Sequence, residues 1–458
     1  MTEAAMAAAT GTVPPPAEPD GAPRVAVLDI LRGLAILGIL FMNINDMGGS
    51  LHVLFTGDIR HFGWTTADQI AWWPREVLAN GTARALLEML FGVGMVILTD
   101  RAATRATKWQ VMRAYWWRNI VLLAFGIIHI LVLLWPGDIL HTYAIAALLA
   151  VLFRRWRPRW LIVAGLSLAM LQLVGAGIGT VMSQRQAAAV AALRADQTAG
   201  KPLAAESRKT LAAADKRAAE RAKRKAESAA LIAAEDAART GTARTWVQAA
   251  WDITWWVQSR GLEILFVWEA LATMLIGAAL YKLGIIQGAR SRRFYQNLTA
   301  ISYAVGISLR MLQAAADTRF DGQQSIWIAG GEIARLANTV GHIGLVNLLL
   351  LSVRGTTLLR PFAAAGRTAL SVYILQTLIC LWVIYPPWGL ALYGQQGWAA
   401  FMATALIVNA GLLWLANWWD KRYAIAPVEW AWRSVVAGKR LPFRRVGAQP
   451  GAGTLAVA

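Results

Sequence analysis

Several long apolar stretches of the chain contain side chains that can do chemistry. In "FGIIHILVLLWPGDILHTYAIAALL", His129 lies about two turns before the end of a predicted helix, and Pro136 and Gly137 turn the chain just before Asp138. A hairpin at this point returns Asp138 toward His129. An imidazole oriented by a carboxylate is the usual arrangement for a general base. A buried pair that only packs two helices is the alternative interpretation.

A second apolar helix has polar residues at both ends, in "RVAVLDILRGLAILGILFMNIND". Asp29 and Arg32 are three residues apart, so they share one helical face and can pair. An arginine at this position suits an anionic group such as a phosphate, and a simple ion pair at the membrane boundary is the alternative. Asn43, near the other end, can hydrogen-bond between helices.

Other candidates are spread along the chain. Tyr143 suits either a binding site or the aromatic belt at a membrane surface. Tyr373 and Gln376 are three residues apart on one face, which predicts a cavity lining or a polar clamp between helices. His52 and His61 fall in a loop at 46–83, where histidines are expected to be exposed. The sequence predicts no metal site.

The composition is typical of a polytopic helical membrane protein. The chain has 458 residues, 57% of them hydrophobic, and its apolar residues come in unbroken runs. Runs of about 20 residues match the ~30 Å hydrocarbon thickness. The net charge of +19 is explained by basic cytoplasmic loops rather than by nucleic acid. One cysteine, Cys380, excludes a disulfide framework.

The apolar runs predict an all-α transmembrane bundle of about ten spans. They fall at about 27–45, 84–99, 117–135, 138–153, 160–182, 262–282, 298–315, 328–351, 364–384 and 399–418. Basic residues concentrate in every second connection. This alternation predicts that both termini are cytoplasmic, as an even number of spans requires. We therefore expect a multi-pass membrane protein.

The span pattern also predicts the organisation of the chain. Residues 1–23 form a disordered cytoplasmic tail without a cleavable signal, followed by five spans in 24–182. A charged, Ala-rich insertion at 183–261 predicts one or two solvated helices on the outer side. Its role is structural, or that of a lid or partner surface. Five further spans occupy 262–420, and 421–458 form a basic cytoplasmic tail.

Several stretches resemble the YeiB-like bacterial inner-membrane proteins, which carry domain of unknown function 418. They are "LDILRGLAILGILFMNI", "LLEMLFGVGM", "FGIIHILVLLWPGDILHTYAIAALL", "EALATMLIGAALYKLGI", "GRTALSVYILQTLIC" and "APVEWAWR". The L-D-x-x-R-G start of the first helix links the chain to a wider group of transmembrane acyltransferases, including the heparan-α-glucosaminide N-acetyltransferases. The 183–261 insertion shows no such resemblance.

The resemblance implies a location in the bacterial inner membrane and a mechanism. An acyl thioester such as acetyl-CoA binds from the cytoplasm near Arg32, and the acyl group passes to a hydroxyl or amine acceptor, such as a cell-envelope sugar, near Asn43. A histidine acts as base or transient acyl carrier. His129 with Asp138 matches the YeiB-like pattern. His61, followed by Trp64 and "TTAD", resembles the heparan enzymes and is the second choice.

Two other function classes are compatible with the same residues. A transporter of a small anion or metabolite would use them as a midplane binding site, and a structural protein would use them only to join helices. The expected partners are the lipid bilayer, the small-molecule donor and the acceptor, without nucleic acid. No bound cofactor is expected, because acyl-CoA is a substrate, and an oligomer is compatible with the sequence.

Overall fold

The fold was analysed in a computed structural model that describes residues 22–320 and 325–444. These residues are helical or lie in connections, with a single isolated β-bridge between Tyr423 and Arg444 and no strand among them. The prediction of an all-α protein is therefore confirmed. Most of the predicted N-terminal tail (1–21) and the end of the basic tail (445–458) lie outside the described residues.

The described part of the chain forms fifteen α-helices. They are α1 Ala22–Gly48, α2 Thr66–Pro74, α3 Thr82–Ala103, α4 Lys108–Leu131, α5 Leu140–Ala150, α6 Pro158–Thr198, α7 Ala205–Arg239, α8 Ala243–Gln258, α9 Glu263–Lys282, α10 Arg292–Asp317, α11 Gly331–Leu350, α12 Val353–Arg367, α13 Ala369–Ile379, α14 Trp398–Arg422 and α15 Pro427–Ala437. Short 3₁₀ or π turns extend several of these helices, including a π turn at Cys380–Ile384 after α13.

Among the residues that the structure describes, eight helical segments are long and apolar enough to cross a bilayer. They are Ala26–Gly48, Thr66–Ala103, Lys108–Leu131, Pro158–Thr198, Glu263–Lys282, Arg292–Asp317, Gly331–Leu350 and Trp398–Arg422. The bent pair of Val353–Arg367 and Ala369–Ile384 makes a ninth if it is counted as one span. The predicted span at 138–153 corresponds to a shorter apolar helix, Leu140–Phe153.

The predicted span at 364–384 is not one straight helix. Helices α12 and α13 meet at Thr368 with a bend of 81°. The predicted span joins the last turn of α12 to α13, because hydropathy records composition and not the direction of a helix.

Two glycines allow α1 and α12 to cross at close range. A Cβ on Gly33 would overlap the carbonyl group of Phe362, and a Cβ on Gly366 would overlap the carbonyl of Asp29. Small residues let helix backbones approach closely where no larger side chain would fit. This crossing holds the start of α1, with Asp29 and Arg32, against the bend between α12 and α13.

The insertion folds back on the bundle. Helix α6 continues through residue 182, where the sequence predicts the end of a span, and runs on to Thr198. Helix α7 then returns, and its last turns contact the loop after α1 through Glu235 and Asp236. The insertion is helical, and the end of α7 is anchored to the bundle.

Candidate functional site

A cavity of about 400 Å³ opens where α1, α3, α4, α5, α13 and α15 meet. Its lining includes Asp29, Arg32, Tyr143 and Tyr373, four of the six predicted binding residues. These residues are far apart in sequence, and tertiary packing brings them together. The cavity is called the arginine-lined cavity below, and the end of the bundle where Arg32 lies is called the basic end.

The charged part of the cavity carries excess positive charge. Four arginines line it, against the two carboxylates of Asp29 and Glu429. These arginines are Arg32, Arg118, Arg367 and Arg433. As predicted from their spacing, Arg32 donates from Nη1 to Asp29 Oδ1 at 2.9 Å. An arginine cluster of this kind suits phosphate or carboxylate groups, which can accept two N–H bonds from one guanidinium.

Two of the tyrosines that line the cavity hydrogen-bond to backbone groups. Tyr143 donates its hydroxyl to the carbonyl of Arg84 at 3.1 Å, and the hydroxyl of Tyr373 accepts from the backbone N–H of Ile139 at 3.2 Å. The Tyr373 ring also contacts His129 edge to face, with 5.0 Å between ring centroids. Tyr373 therefore separates the cavity from the predicted histidine site.

The hairpin after α4 places Asp138 against His129. The two atoms His129 Nδ1 and Asp138 Oδ1 are 2.6 Å apart, and both side chains are fully buried. Helix α4 ends at Leu131 and α5 begins at Leu140, so Asp138 lies in the turn rather than inside a span. His129 Nε2 is 2.9 Å from the hydroxyl of Thr377 on α13. The contact with Thr377 is absent from the sequence prediction, because 248 residues separate the two side chains.

The same carboxylate also holds a second histidine. Asp138 Oδ2 accepts from the backbone N–H of His141 and lies 2.9 Å from its Nδ1, while His141 Nε2 lies 2.7 Å from Glu263 at the start of α9. Glu263 is partly exposed, with 28% of its side chain accessible. A continuous hydrogen-bonded chain therefore connects buried Thr377 to a partly exposed carboxylate.

The bend before α13 is stabilised by Glu429 in the "APVEWAWR" stretch. Glu429 Oε1 accepts from the backbone N–H groups of Leu370 (2.7 Å) and Ser371 (3.1 Å), and Oε2 accepts from the Ser371 hydroxyl at 2.5 Å. A carboxylate at the N-terminus of a helix satisfies its free N–H groups and complements the helix dipole. Glu429 thus fixes the helix that carries Tyr373 and Thr377.

A second cavity of about 400 Å³ lies at the opposite end of the bundle and is called the loop-end cavity. His61 lines it together with Asp236, Tyr393 and Gln396. His61 Nε2 lies 3.3 Å from Asp236 Oδ2, and the Tyr393 hydroxyl donates to Asp236 Oδ1 at 3.0 Å. The hydrogen bond with Asp236 raises the pKa of His61 above its ordinary value, despite partial burial.

The remaining predicted residues have different surroundings. Gln376 donates to the carbonyl of Ile36 at 3.1 Å and to Asn409 Oδ1 at 3.3 Å, so it clamps helices together, one of its two predicted roles. Asn43 lines neither cavity. His52, expected to be exposed, is buried and lies 2.8 Å from Glu235 of the insertion.

The sequence prediction omits a buried charge cluster between α3, α9 and α11. Arg335 Nη1 lies 3.1 Å from Glu88 and 3.0 Å from Glu269, and Arg84 lies 2.5 Å from Glu269. The sequence did contain a signal for this cluster, because Glu88, Glu269 and Arg335 lie inside predicted spans. Charged residues in such positions are rare and are usually paired or functional. No group of three or more His, Cys, Asp or Glu side chains suited to a metal ion occurs among the described residues.

These observations define a polytopic helical membrane protein with a buried histidine–carboxylate site beside an arginine-lined cavity. Comparison with known proteins adds what the chain is similar to. Residues 280–439 match the family model "Protein of unknown function (DUF418)". The chain is 27% identical to the uncharacterized protein YxaH of Bacillus subtilis, over 90% of this chain and 94% of YxaH.

A similar relationship links the chain to Escherichia coli. It is 26% identical to the uncharacterized protein YeiB, over 90% of this chain and 96% of YeiB. The resemblance to the YeiB-like, DUF418-containing proteins is therefore confirmed. No solved structure matches the chain.

Proposed function

We propose that the protein is a transmembrane acyltransferase. In this proposal, an acyl-CoA thioester binds in the arginine-lined cavity, and its acyl group passes through the His129 site to a hydroxyl or amine acceptor at the opposite end of the bundle. Arg32 binds the anionic part of the donor, and His129 acts as general base with Asp138 as its orienting carboxylate. The acceptor class includes cell-envelope sugars.

The arginine-lined cavity is the observation that carries the proposal. A coenzyme A ester is a polyanion with an apolar or small acyl group at one end, and it needs a cationic entrance and a narrow reactive end. The cavity has arginines such as Arg32 and Arg118, and also Tyr373, which contacts His129. An anion bound by the arginines would place its far end toward the histidine site.

The proposed direction of transfer follows from charge. Cytoplasmic loops of membrane proteins are enriched in Lys and Arg. Arg32, Arg118 and Arg433 lie together at the basic end, so we infer that this end faces the cytoplasm, where acyl-CoA is made. The loop-end cavity would then face the outer side of the bacterial inner membrane.

A transporter of a small anion is the second candidate, favoured by the bend between α12 and α13. Transporters bind substrates at discontinuous helices whose free N-termini point at anionic groups. Here Glu429 already occupies the N-terminus of α13, which leaves less of the helix end for a substrate. We therefore rank acyl transfer first.

The test uses purified full-length protein in detergent, incubated with radiolabelled acetyl-CoA, with thiol release and retained label as readouts. We expect wild type to release thiol and His129→Ala to lose this activity. Arg32→Gln should raise KM for acetyl-CoA by about 10-fold or more, since hydrogen bonds to charged groups contribute roughly 1.5–3 kcal/mol.

Two matched variants control for general damage. Arg360→Gln removes an exposed arginine of α12 that does not line the cavity, and it should leave KM unchanged. His61→Ala tests the second-choice histidine. Loss of activity in His61→Ala with full activity in His129→Ala would move the reaction to the loop-end cavity. Folded wild type that binds acetate or another small anion without thiol release would favour transport.

A further inference from the structure

We propose that Thr377 is the nucleophile of the buried site and carries the acyl group as a covalent ester during transfer. The proposal rests on the function proposed above and adds a residue and an intermediate to it. Its basis is the arrangement of Thr377, His129 and Asp138, in which a hydroxyl, an imidazole and a carboxylate are joined in that order by bonds of 2.9 and 2.6 Å.

The direction of each hydrogen bond follows from the donors around Asp138. Its carboxylate faces the backbone N–H of His141 and the Nδ1 atoms of His129 and His141. An ionised carboxylate only accepts hydrogen bonds, so His129 carries its proton on Nδ1. When the imidazole of His129 is neutral, its Nε2 is then an acceptor, and the Thr377 hydroxyl donates to it. This is the polarity that activates a hydroxyl nucleophile by general-base catalysis.

Thr377 differs from other buried threonines of the bundle. Six other buried threonines of the described residues, in helices or at their ends, donate their hydroxyl to the carbonyl four residues earlier, the ordinary way to satisfy a threonine of a helix. They are Thr82, Thr99, Thr254, Thr273, Thr339 and Thr368. The Thr377 hydroxyl instead meets an imidazole from another helix, although it is fully buried.

Thr377 also lies between the two cavities. It follows Tyr373 by four residues on the same face of α13, a rise of about 6 Å, and Tyr373 lines the arginine-lined cavity. Farther along the same segment, the Tyr385 hydroxyl donates to Gln396 at 3.1 Å, and Gln396 lines the loop-end cavity. A covalent carrier at this position would exchange an acyl group with either side when Tyr373 or its neighbours move.

The chemistry balances without a further reactant. Thr377 Oγ attacks the thioester carbonyl, its proton moves to His129 Nε2, the carbon–sulfur bond breaks, and the thiolate takes that proton. An acceptor hydroxyl then attacks the Thr377 ester while its proton passes to His129 Nε2. The acceptor ester forms, the Thr377 ester bond breaks, and Thr377 Oγ recovers a proton from His129.

The test looks for the ester itself. Full-length protein in detergent is incubated with radiolabelled acetyl-CoA without acceptor, denatured, and digested for peptide mass spectrometry. We expect an added acetyl group on Thr377, stable to denaturation and released by alkaline hydroxylamine, as an ester should be. Thr377→Val should lose both the label and turnover, whereas Thr377→Ser keeps the hydroxyl and should retain label.

Thr99→Val is the matched control, since it removes the hydroxyl of another buried threonine, which bonds only within its own helix. It should retain full labelling. Thiol release that continues in Thr377→Val, or label found on His129, would overturn the role of Thr377 and leave acyl transfer intact. Folded wild type that never releases thiol would instead overturn the proposed function, and this assignment with it.

Discussion

At the scale of single residues, the site depends on a few carboxylates that each hold several partners. Asp138 accepts from two histidines, and Glu429 accepts from two backbone N–H groups and the Ser371 hydroxyl. Each is buried, so its loss would leave several polar groups without partners at once. The free-energy cost of an unpaired buried polar group exceeds the gain from one ordinary hydrogen bond.

The prediction at this scale concerns Glu429. Glu429→Ala should lower the free energy of unfolding by about 1–3 kcal/mol, because it leaves the N-terminus of α13 without its cap. Thermal unfolding of the purified protein in detergent measures the change. Glu227→Ala, on the exposed face of α7, should leave the midpoint unchanged, and an equal shift in both variants would contradict a specific cap.

At the scale of helices, close crossings decide where the polar residues lie. Helix α1 approaches α12 at Gly33 and Gly366, and α3 approaches α9 at Gly92 and Gly277, in each case without space for a Cβ. Gly33 and Gly92 belong to the stretches "LDILRG" and "LLEMLFGVGM". Gly33 and Gly92 are therefore explained by packing, while Asp29 and Arg32 of the first stretch line the cavity.

The prediction for the helices compares two glycines. Gly33→Ala should destabilise the protein by about 1–3 kcal/mol, the usual cost of overpacking, because its Cβ would overlap the Phe362 carbonyl. Gly411→Ala on α14 meets no atom within 4 Å and should be neutral or slightly stabilising, since alanine is the better helix former. Unfolding midpoints that fall equally in both variants would contradict the crossing argument.

At the scale of the whole molecule, the insertion closes over the loop end of the bundle. Glu235 accepts from Ser50 and Arg239 at 2.7 and 2.9 Å and lies 2.8 Å from His52 Nδ1. Burial raises the pKa of Glu235, but the bond with His52 and the charge of Arg239 outweigh it, so the pKa is lowered overall. The neighbouring Asp236 holds His61.

Docking of α7 should therefore depend on pH in both directions. The Glu235 contribution is complete above its ordinary pKa of 4.5 and is lost as pH falls through its lowered docked pKa. The His61 contribution is complete below its ordinary pKa of 6.5 and is lost as pH rises through its raised docked pKa. Docking should therefore be tightest at pH values between these two ordinary pKa values, 4.5 and 6.5.

Spin labels can measure this opening. Leu54→Cys and Lys225→Cys create exposed labelling sites on the loop and on α7, while the native Cys380 is buried. We expect the distance distribution to broaden at both extremes of pH. Asp236→Asn should abolish the alkaline change and keep the acid one, and the exposed Asp252→Asn should alter neither. A distribution that is constant across the range would rule out pH-dependent docking.

The sequence was sufficient for features that depend on local composition and spacing. Long apolar runs predicted the membrane helices, three-residue spacing predicted the Asp29–Arg32 pair, and Pro136 with Gly137 predicted the hairpin toward His129. Each of these features forms within one helix or between neighbours in the chain. The same rules joined the last turn of α12 to α13 in one span at 364–384, because hydropathy carries no information on direction.

Only the tertiary structure decided which distant residues meet. Thr377 reaches His129 across 248 positions, and Glu235 reaches His52 across 183. Such contacts are set by how helices cross and by which face each helix turns inward. Many residues of the chain lie in the same kind of local sequence as Thr377, so that sequence does not single it out. The sequence by itself therefore determined a helical membrane protein with a histidine–carboxylate hairpin. Packing determined that this hairpin meets a hydroxyl beside an arginine-lined cavity.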